Sequence, residues 1–183
     1  EGFCRRLSVL SNLCPQFHLS MQSGCDTVLQ RMKRKYDTAR YYESVELLRK
    51  FFPECAVTTD MIVAFPGETE EDFATTLAFA GKGGFAKMHI FPYSKRKGTP
   101  AEKMPNQVDE AVKGERAARL AAVDEKLHQA MLKQMVGKTE EVLFEQPVDA
   151  VHMEGLCGPY LRVVAPGTEE LSKETVRIRV AVP

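Results

Sequence analysis

Residues 56–73 read AVTTDMIVAFPGETEEDF and contain the start of a β/α unit. The first ten of them, 56–65, are rich in β-branched residues and predict a strand, which a Pro-Gly pair then ends. Thr69 and Asp72 have the spacing of a capping box, so a helix is expected to begin directly after this turn. A strand followed at once by a helix predicts an α/β fold with a parallel sheet.

The same alternation of strand and helix extends on both sides of this stretch. Upstream, 17–21 is a predicted strand, and a short helix that Asp26 can cap comes next. A second helix follows, with apolar residues every three or four positions over 41–52. Downstream, a cluster of glycines ends the helix, and a third strand is predicted over 86–91. Repetition at this spacing favours parallel β/α units, because parallel strands need a crossover connection.

A change of periodicity divides the chain. A long helix is predicted over 107–135, with an apolar stripe from Leu120 to Met135, and Gly137 is placed to end it. Short β-like runs with Gly and Pro between them follow, over 139–145, 148–153, 160–165 and 175–182. We therefore place a domain boundary after residue 135 and predict a small all-β module, a barrel, over 136–183.

The composition is that of an ordinary globular protein and names no partner. The 25 Lys and Arg residues balance the 25 Asp and Glu residues, so nucleic-acid binding would need a local basic patch. No apolar run approaches about 18 residues, which excludes a spanning helix and makes a membrane partner unexpected. None of the five cysteines has metal-knuckle spacing, so no metal site is expected in the chain. Their odd number, without a signal-peptide pattern, favours reduced thiols and a cytoplasmic location.

Polar side chains and glycines follow all three predicted strands of the first part. Because ligands of parallel β/α folds lie at the carboxyl ends of strands, these residues are expected to line one mouth. Gln22, Ser23 and Asp60 could bind hydroxyl groups, and the backbone near Ile62 and Phe91 could flank a base. The pattern suits a small polar molecule with a ribose or adenosine moiety. Alternatively, Pro-Gly is an ordinary turn and Ser-Gly-Cys-Asp an ordinary helix entry.

Two other features each leave two interpretations open. The basic run RMKRK, residues 31–35, is either a solvated helix face or a site for a carboxylate or phosphate. His18 and His89 lie within predicted strands, where a histidine is more often a hydrogen-bonded structural residue than a catalyst.

Four strings in this order give the sequence a family resemblance. They are HLSMQSGCD (18–26), RMKRKY (31–36), TTDMIVAFPGETEEDF (58–73) and FPYSKRKGTPAEKMP (91–105). Together they resemble the radical S-adenosylmethionine (SAM) methylthiotransferases. The Cys14-Pro lead-in and the Lys-Gly-Thr-Pro-Ala segment look most like the branch that acts on N6-threonylcarbamoyladenosine (t6A) in tRNA. Residues 136–183 resemble the TRAM domain, an RNA-binding barrel.

The resemblance implies a fold and a reaction. Residues 1–135 would supply the last three strands of a partial TIM-like (β/α) barrel and a trailing helix, with the TRAM-like barrel after it. The reaction would be methylthiolation of C2 of t6A next to the anticodon, with SAM and [4Fe–4S] clusters as cofactors and the tRNA anticodon loop as partner. By the order of motifs in the family, the cysteine motif for the clusters would lie upstream of this chain. Residues 1–6 resemble the middle of a helix. By itself the chain is expected to be inactive.

The resemblance also assigns residues. The SAM-binding residues that it implies are Gln22, Ser23, Arg34, Asp60, Ile62, Phe91 and Tyr93. In this assignment Gln22 and Ser23 lie near the ribose and methionine, and Arg34 binds the carboxylate, which suits a guanidinium group. Asp60 and the backbone around Ile62 border the nucleoside, and Phe91 and Tyr93 the adenine.

In the β module, Lys138, Tyr160 and Arg162 are candidates for RNA contact, because cations bind phosphates and aromatic rings stack on bases. Tyr160 could equally pack on its own module. The sequence departs from the family at Ala64, where the family usually has Gly. It also departs at 155–160, where GLCGPY replaces a more polar pattern.

Two other functions remain open at this stage. A methylthiotransferase that acts on another tRNA base or on a ribosomal protein would keep the same barrel. A non-catalytic RNA-binding remnant would use the β module alone. We also expect the strand at 17–21 to be an uncovered sheet edge.

Overall fold

The computed structural model describes residues 1–181, which form two sheets and the helices around them. The helices are α1 (Gly2–Leu7), α2 (Asp26–Arg31), α3 (Thr38–Phe51), α4 (Glu70–Gly83) and α5 (Glu110–Met135). The strands are β1 (Gln16–His18), β2 (Ala56–Val63), β3 (Lys87–Pro92), β4 (Thr139–Pro147), β5 (His152–Cys157), β6 (Arg162–Pro166) and β7 (Thr175–Arg179). Short 3-10 helices lie at Pro100–Lys103 and Glu169–Leu171.

The first sheet is parallel, with strand order β1-β2-β3, which confirms the predicted β/α units. β1 is shorter than the predicted strand at 17–21. The backbone N–H of Met21 bonds to the Thr59 hydroxyl instead of a backbone carbonyl, and this interrupts the ladder. Pairing resumes for one residue at Gln22, which bridges to Met61. The first strand therefore reaches the carboxyl edge of the sheet in two pieces.

The two faces of this sheet have different surroundings. On β2, Val57, Met61 and Val63 are buried beneath the helices, while Asp60 and Ile62 alternate with them and remain partly exposed. This alternation is the period of two that a strand imposes. Helices therefore cover one face, and the other face is open and largely polar.

Helix α4 has the predicted capping box: the Thr69 side chain accepts from the Asp72 backbone and the Asp72 side chain from the Thr69 backbone. The predicted cap at Asp26 is wrong. Asp26 is the first residue of α2, whose N-cap is Cys25. Its carboxylate instead accepts the backbone N–H of Thr38 at 2.8 Å and so joins the starts of α2 and α3.

Helix α5 begins at Glu110 rather than at the predicted residue 107. The Gln107 side chain is used elsewhere, because its amide donates to the carbonyls of Ala101 and Met104 and braces the preceding loop. The helix contributes to the two largest hydrophobic clusters of the described residues. Leu120 and its neighbours pack beneath the parallel sheet, and Met135 packs against the β module.

The second sheet is antiparallel and curled, with strand order β6-β5-β4-β7. Among the described residues, β6 and β7 do not pair with each other, so the module is an open sheet there instead of the predicted closed barrel. Its core lies on one face and contains Val142, Phe144 and Met153.

Two predicted strands of this module were misplaced. The prediction at 148–153 is wrong over its first four residues, which form the turn before β5; Val148 donates its N–H to the His152 carbonyl. The prediction at 160–165 begins too early, because Tyr160 lies in a turn with φ of 66°. The predicted strand at 175–182 ends at Arg179, and residue 182 lies outside the described residues.

Within residues 1–181, every helix is too short or too polar to cross a membrane.

Candidate functional site

The carboxyl ends of the three parallel strands meet at a cleft of about 460 Å³. Its lining residues are Gln22, Asp60, Ile62, Phe65, Phe91, Pro92, Tyr93, Ser94, Arg96, Thr99 and Ala101. All three strands contribute, since the residues follow β1, lie on β2 and follow β3. Ligands of parallel sheets bind at this edge, so the cleft is the candidate site.

Gln22 is held at the cleft by an uncommon backbone conformation. Its φ is 73°, in the left-handed region that few residues other than Gly adopt. Its N–H donates to the Asp60 carbonyl and its own carbonyl accepts from the Ile62 N–H, both at 2.8 Å. The neighbouring strand therefore fixes the strained residue from both sides, and strain of this kind clusters at ligand sites.

Asp60 supplies the carboxylate of the cleft, and 31% of its side chain is exposed. One of its oxygens, Oδ2, accepts a hydrogen bond from the Ser20 hydroxyl at 2.9 Å. The same oxygen lies 3.2 Å from Nε2 of His18. The carboxylate is thus held by side chains on and just after β1 while it faces the cleft.

An apolar wall completes the cleft. Ile62 and the half-exposed Phe91 present flat hydrocarbon surface beside Asp60. Tyr93 packs edge-on against Phe65, with ring centroids 5.3 Å apart. The Tyr93 hydroxyl is buried and has no hydrogen-bond partner among the described residues. A buried hydroxyl without a partner can take a hydrogen bond from a ligand.

A buried ion pair braces the turn beneath the cleft. Arg116 of α5 donates to the Glu68 carboxylate at 2.9 Å and to the Glu68 carbonyl at 3.0 Å. Glu68 also accepts the backbone N–H of Ala64 at 2.8 Å. Burial raises the pKa of Glu68, and the hydrogen bonds from Ala64 and Arg116 oppose this shift. The pair fixes α5 to the end of β2, which positions Phe65.

Five of the seven predicted SAM-binding residues line the cleft, namely Gln22, Asp60, Ile62, Phe91 and Tyr93. Ser23 lies behind it, fully buried, and its hydroxyl contacts the Thr76 hydroxyl and the Cys25 N–H at 3.3 Å. Arg34 is exposed in the loop between α2 and α3 and is not a lining residue. It stands near Tyr36, whose hydroxyl donates to the Ser20 and Met21 carbonyls at the end of β1.

The polar residues after the strands were expected to line the mouth, but six lining residues were not assigned individually: Phe65, Pro92, Ser94, Arg96, Thr99 and Ala101. Both Arg96 and Thr99 lie in the string 91–105 that carries the resemblance, but they are distant from the strand end. The loop after β3 folds back over the edge of the sheet and brings them to the cleft. The signal that could have indicated them is the Gly-Thr-Pro sequence at 98–100, which is typical of a turn and leads into the 3-10 helix Pro100–Lys103.

The basic run 31–35 divides into two groups. Arg31 has a structural role, because its guanidinium bonds to Asp72 at 2.7 Å. Burial disfavours ionisation of Asp72, but hydrogen bonds from Thr27 and Arg31 outweigh it and hold the pKa of that carboxyl well below its usual range. The remaining cations of the run are exposed and, among residues 1–181, form no side-chain hydrogen bond or ion pair.

Six exposed cations lie in the segments that follow α2 and β3 and are called the basic rim. They are Lys33, Arg34 and Lys35 after α2, and Lys95, Arg96 and Lys97 after β3. The side chains of the second group are likewise without a partner in the described part of the chain. The first group follows α2 and the second follows β3, an edge strand of the parallel sheet. A local basic patch therefore exists although the whole chain has a net charge of zero.

The candidate RNA contacts of the β module are all accessible. Tyr160 is 63% exposed, so it does not pack on its own module. Arg162 pairs with Glu154 at 2.6 Å, and Lys138 pairs with Glu54 of the first part. Exposed ion pairs of this kind contribute only about 0–1 kcal/mol, so they do not prevent these cations from contacting phosphate.

The cleft fits SAM in the chemistry of its groups. A carboxylate suits ribose hydroxyls, the apolar wall suits a base, and the Tyr93 hydroxyl is available for a hydrogen bond. The cysteines do not fit a [4Fe–4S] cluster, because Cys4, Cys25 and Cys157 are separately buried. Over the described range, no three His, Cys, Asp or Glu residues converge to hold a metal ion.

Comparison with known proteins finds a family and several relatives that are similar to this chain. Residues 4–80 match the model of the radical SAM superfamily. The chain is 41% identical over 167 residues to threonylcarbamoyladenosine tRNA methylthiotransferase MtaB of Bacillus subtilis, over 89% of the chain. It is 44% identical to the tRNA-2-methylthio-N(6)-dimethylallyladenosine synthase of Corynebacterium urealyticum and 47% identical to that of Acidothermus cellulolyticus, over 74% and 72% of the chain.

These relatives are much longer than the chain. It spans 37% of the Bacillus protein and 25% and 27% of the other two. The match to the Bacillus protein covers too much of the chain to leave out the whole of the β module.

Proposed function

The chain belongs to the radical SAM methylthiotransferase family, and from this premise we propose that it is the carboxyl-terminal part of a tRNA-modifying enzyme. The proposed reaction is methylthiolation of C2 of t6A next to the anticodon. Residues 1–135 would form the last part of a partial (β/α) barrel, and 136–183 a TRAM-like RNA-binding module. The observation that carries the proposal is that five residues assigned from family motifs line one cleft.

In this proposal the cleft binds SAM. Asp60 accepts hydrogen bonds from the ribose hydroxyls, and Gln22 lies beside the ribose and methionine. Ile62, Phe91 and Tyr93 hold the adenine by apolar contact. SAM, together with [4Fe–4S] clusters held by residues outside this chain, would supply the radical, the sulfur and the methyl group. The role of this chain is to bind and orient SAM and to exclude water from the cleft.

The SAM carboxylate is assigned to an arginine. The family resemblance points to Arg34, whereas Arg96 is the arginine that lines the cleft. We keep Arg34 as the proposed ligand and note that Ser23 supports the site from behind. Loss of SAM affinity in Arg34→Ala, with Arg96→Ala unaffected, supports this assignment. The opposite pattern transfers the role to Arg96.

The RNA partner is proposed to bind over the mouth of the cleft. The basic rim has the charge for the phosphates of an anticodon loop, and Tyr160 has an exposed ring for stacking. The same arrangement serves a second candidate, methylthiolation of N6-dimethylallyladenosine. That candidate is favoured by the higher identity to the dimethylallyladenosine synthases, although over a shorter part of the chain.

The test uses the complete enzyme that contains this chain, with reconstituted clusters. It is supplied with SAM and with tRNA that carries either t6A or N6-dimethylallyladenosine, and nucleosides are then identified by mass spectrometry. A methylthio product on t6A alone supports the proposal. Product on the dimethylallyl base alone selects the second candidate, and product on neither contradicts both. Asp60→Asn is the matched variant and is expected to lower turnover at least about tenfold.

A further inference from the structure

Three polar side chains on the open face of the parallel sheet, those of His18, Ser20 and Asp60, form one hydrogen-bonded group. The Ser20 hydroxyl and His18 Nε2 both contact Asp60 Oδ2, at 2.9 Å and 3.2 Å. His18 Nε2 also lies 3.0 Å from the Ser20 oxygen. The other carboxylate oxygen, Oδ1, has no hydrogen-bond partner in the described structure. One oxygen is thus occupied by the protein and the other is left to a ligand.

The contacts at the two ring nitrogens of His18 indicate which of them carries the proton. Nδ1 of His18 lies 3.0 Å from the Thr58 hydroxyl. That hydroxyl oxygen accepts the Gln16 side-chain amide, also at 3.0 Å. The carboxylate of Asp60 can only accept, and the Ser20 hydrogen already points to it, so a neutral His18 ring contacts them through Nε2 as the donor. Nδ1 then accepts the Thr58 hydrogen. This tautomer donates toward Asp60 and Ser20.

The arrangement is built by strand register and not by chain proximity. β1 and β2 pair His18 with Thr58, and β2 and β3 pair Asp60 with His89. The His89 ring lies on the same face, 6.0 Å from the His18 ring. The Asp60 backbone is held in addition by the N–H of Gln22. The Asp60 backbone is therefore fixed by neighbours on both sides of β2, and its carboxylate is held by His18 and Ser20.

We propose that His18 and Ser20 are positioning residues that hold Asp60 so that its free oxygen accepts a hydrogen bond from a ribose hydroxyl of the bound nucleoside. The inference rests on the proposed SAM site and assigns a role to two residues outside the cleft lining. A carboxylate with one oxygen already bonded cannot rotate away without breaking two hydrogen bonds. Its orientation is set before the ligand binds, which lowers the entropic cost of recognition.

This role predicts selectivity for ribose over deoxyribose. A buried or oriented group that bonds a ligand hydroxyl discriminates strongly against an analogue that lacks it. If the Asp60 carboxylate is free to rotate, only a fraction of the molecules bond the ribose hydroxyl, and the preference for ribose over deoxyribose falls. Substitution of a residue with only a structural role would lower the affinity for both ligands equally.

The experiment measures binding of S-adenosylhomocysteine and of its 2′,3′-dideoxyribose analogue to the complete enzyme, by calorimetry. The unsubstituted enzyme is expected to prefer the ribose ligand by about tenfold or more, the size of one hydrogen bond to a charged group. In His18→Phe and in Ser20→Ala this preference falls to about threefold or less, with the affinity for the dideoxy analogue unchanged. His18→Gln, which retains an N–H near the Nε2 position, restores most of the preference.

Three results overturn the inference. Equal weakening of both ligands in His18→Phe and Ser20→Ala would leave these residues with a structural role only. Failure of the unsubstituted enzyme to discriminate removes the hydroxyl contact while the SAM site stands. Failure of the unsubstituted enzyme to bind S-adenosylhomocysteine at all overturns the proposed SAM site together with the inference. Ser20→Ala decides the question if His18→Phe does not fold, which circular dichroism establishes.

Discussion

Ala64 adopts a left-handed backbone conformation that is unfavourable for a residue with a Cβ atom. It is fully buried at the end of β2 with φ of 59°, where the Cβ atom approaches the following carbonyl. Its N–H is held by Glu68, so the conformation is imposed by the turn beneath the cleft. The residue tolerates this position at an energetic cost that a glycine would not have.

We expect Ala64→Gly to raise the free energy of unfolding by about 0.5–1 kcal/mol, because relief of left-handed strain exceeds the entropy that glycine gains when unfolded. Chemical denaturation measures the change. Ala78→Gly is the matched control, since it makes the same substitution on the exposed side of α4 and should lower stability by about 1 kcal/mol. A loss of stability in both variants would show that Ala64 is not strained.

Tyr41 connects α3 to the end of the first strand. Its buried hydroxyl donates to the Leu19 carbonyl at 2.6 Å, and burial raises the pKa of the phenol to about 12. A folded-state pKa above the ordinary value means that the stabilisation is complete below about pH 10 and is lost as pH rises toward 12.

The corresponding variant is Tyr41→Phe, which cannot ionise. At neutral pH it should be less stable than the unsubstituted chain by about 1 kcal/mol, the net value of one hydrogen bond. Between pH 10 and 12 that difference should shrink, as urea denaturation at several pH values can measure. A difference that stays constant with pH would contradict the buried, neutral phenol.

At the scale of elements, one glycine determines how two strands of the β module meet. A Cβ atom on Gly155 of β5 would lie 2.2 Å from the Leu143 carbonyl oxygen of β4. The register between these strands shifts just beyond this contact, at Phe144 and Gln146. The close approach of the two backbones is possible because residue 155 has no side chain.

We expect Gly155→Ala to destabilise the protein by more than about 2 kcal/mol, because backbone atoms of β4 cannot move away cheaply. Gly114→Ala makes the same change in α5, where nothing lies within 4 Å of the added atom. That variant should gain about 0.5–1 kcal/mol from helix propensity. Thermal unfolding shows whether each variant is more or less stable than the unsubstituted protein. Equal shifts of the melting temperature in the two variants would mean that the Gly155 contact is not tight.

At the scale of the whole molecule, charge is distributed unevenly although it sums to zero. The basic rim contains six exposed cations, of which Arg96 lines the cleft, and none of them has a side-chain partner within residues 1–181. Elsewhere many cations are paired with carboxylates, as Lys87 is with Asp124. The segments that follow α2 and β3 therefore offer free positive charge to an RNA backbone.

Substitution of Lys95 and Lys97 by Gln should lower tRNA affinity and reduce the slope of log affinity against log salt by about one to two. The matched control is Lys126→Gln with Lys133→Gln, which removes two exposed charges from α5. Filter binding over a range of salt concentrations measures both. A slope that falls equally in the two double variants would show that the charge acts at a distance and not by contact.

The sequence by itself determined the elements that depend on local chemistry. The capping box of α4, the parallel β/α units and the apolar stripe of α5 follow from periodicity and from side chains three or four residues apart. It also indicated Gln22, Asp60 and Tyr93, because the carboxyl ends of parallel strands share one edge. The family strings placed the chain among methylthiotransferases before any contact was known.

The tertiary structure alone decided what depends on partners distant in the chain. Ser23 follows a strand as Gln22 does, yet Thr76 draws it behind the cleft. The start of β5 was misplaced because the alternation of apolar residues does not show which backbone must approach β4. The contact of His18 with Asp60 joins residues 42 positions apart through strand register. Local patterns set which element forms, but register and packing set which side chains meet.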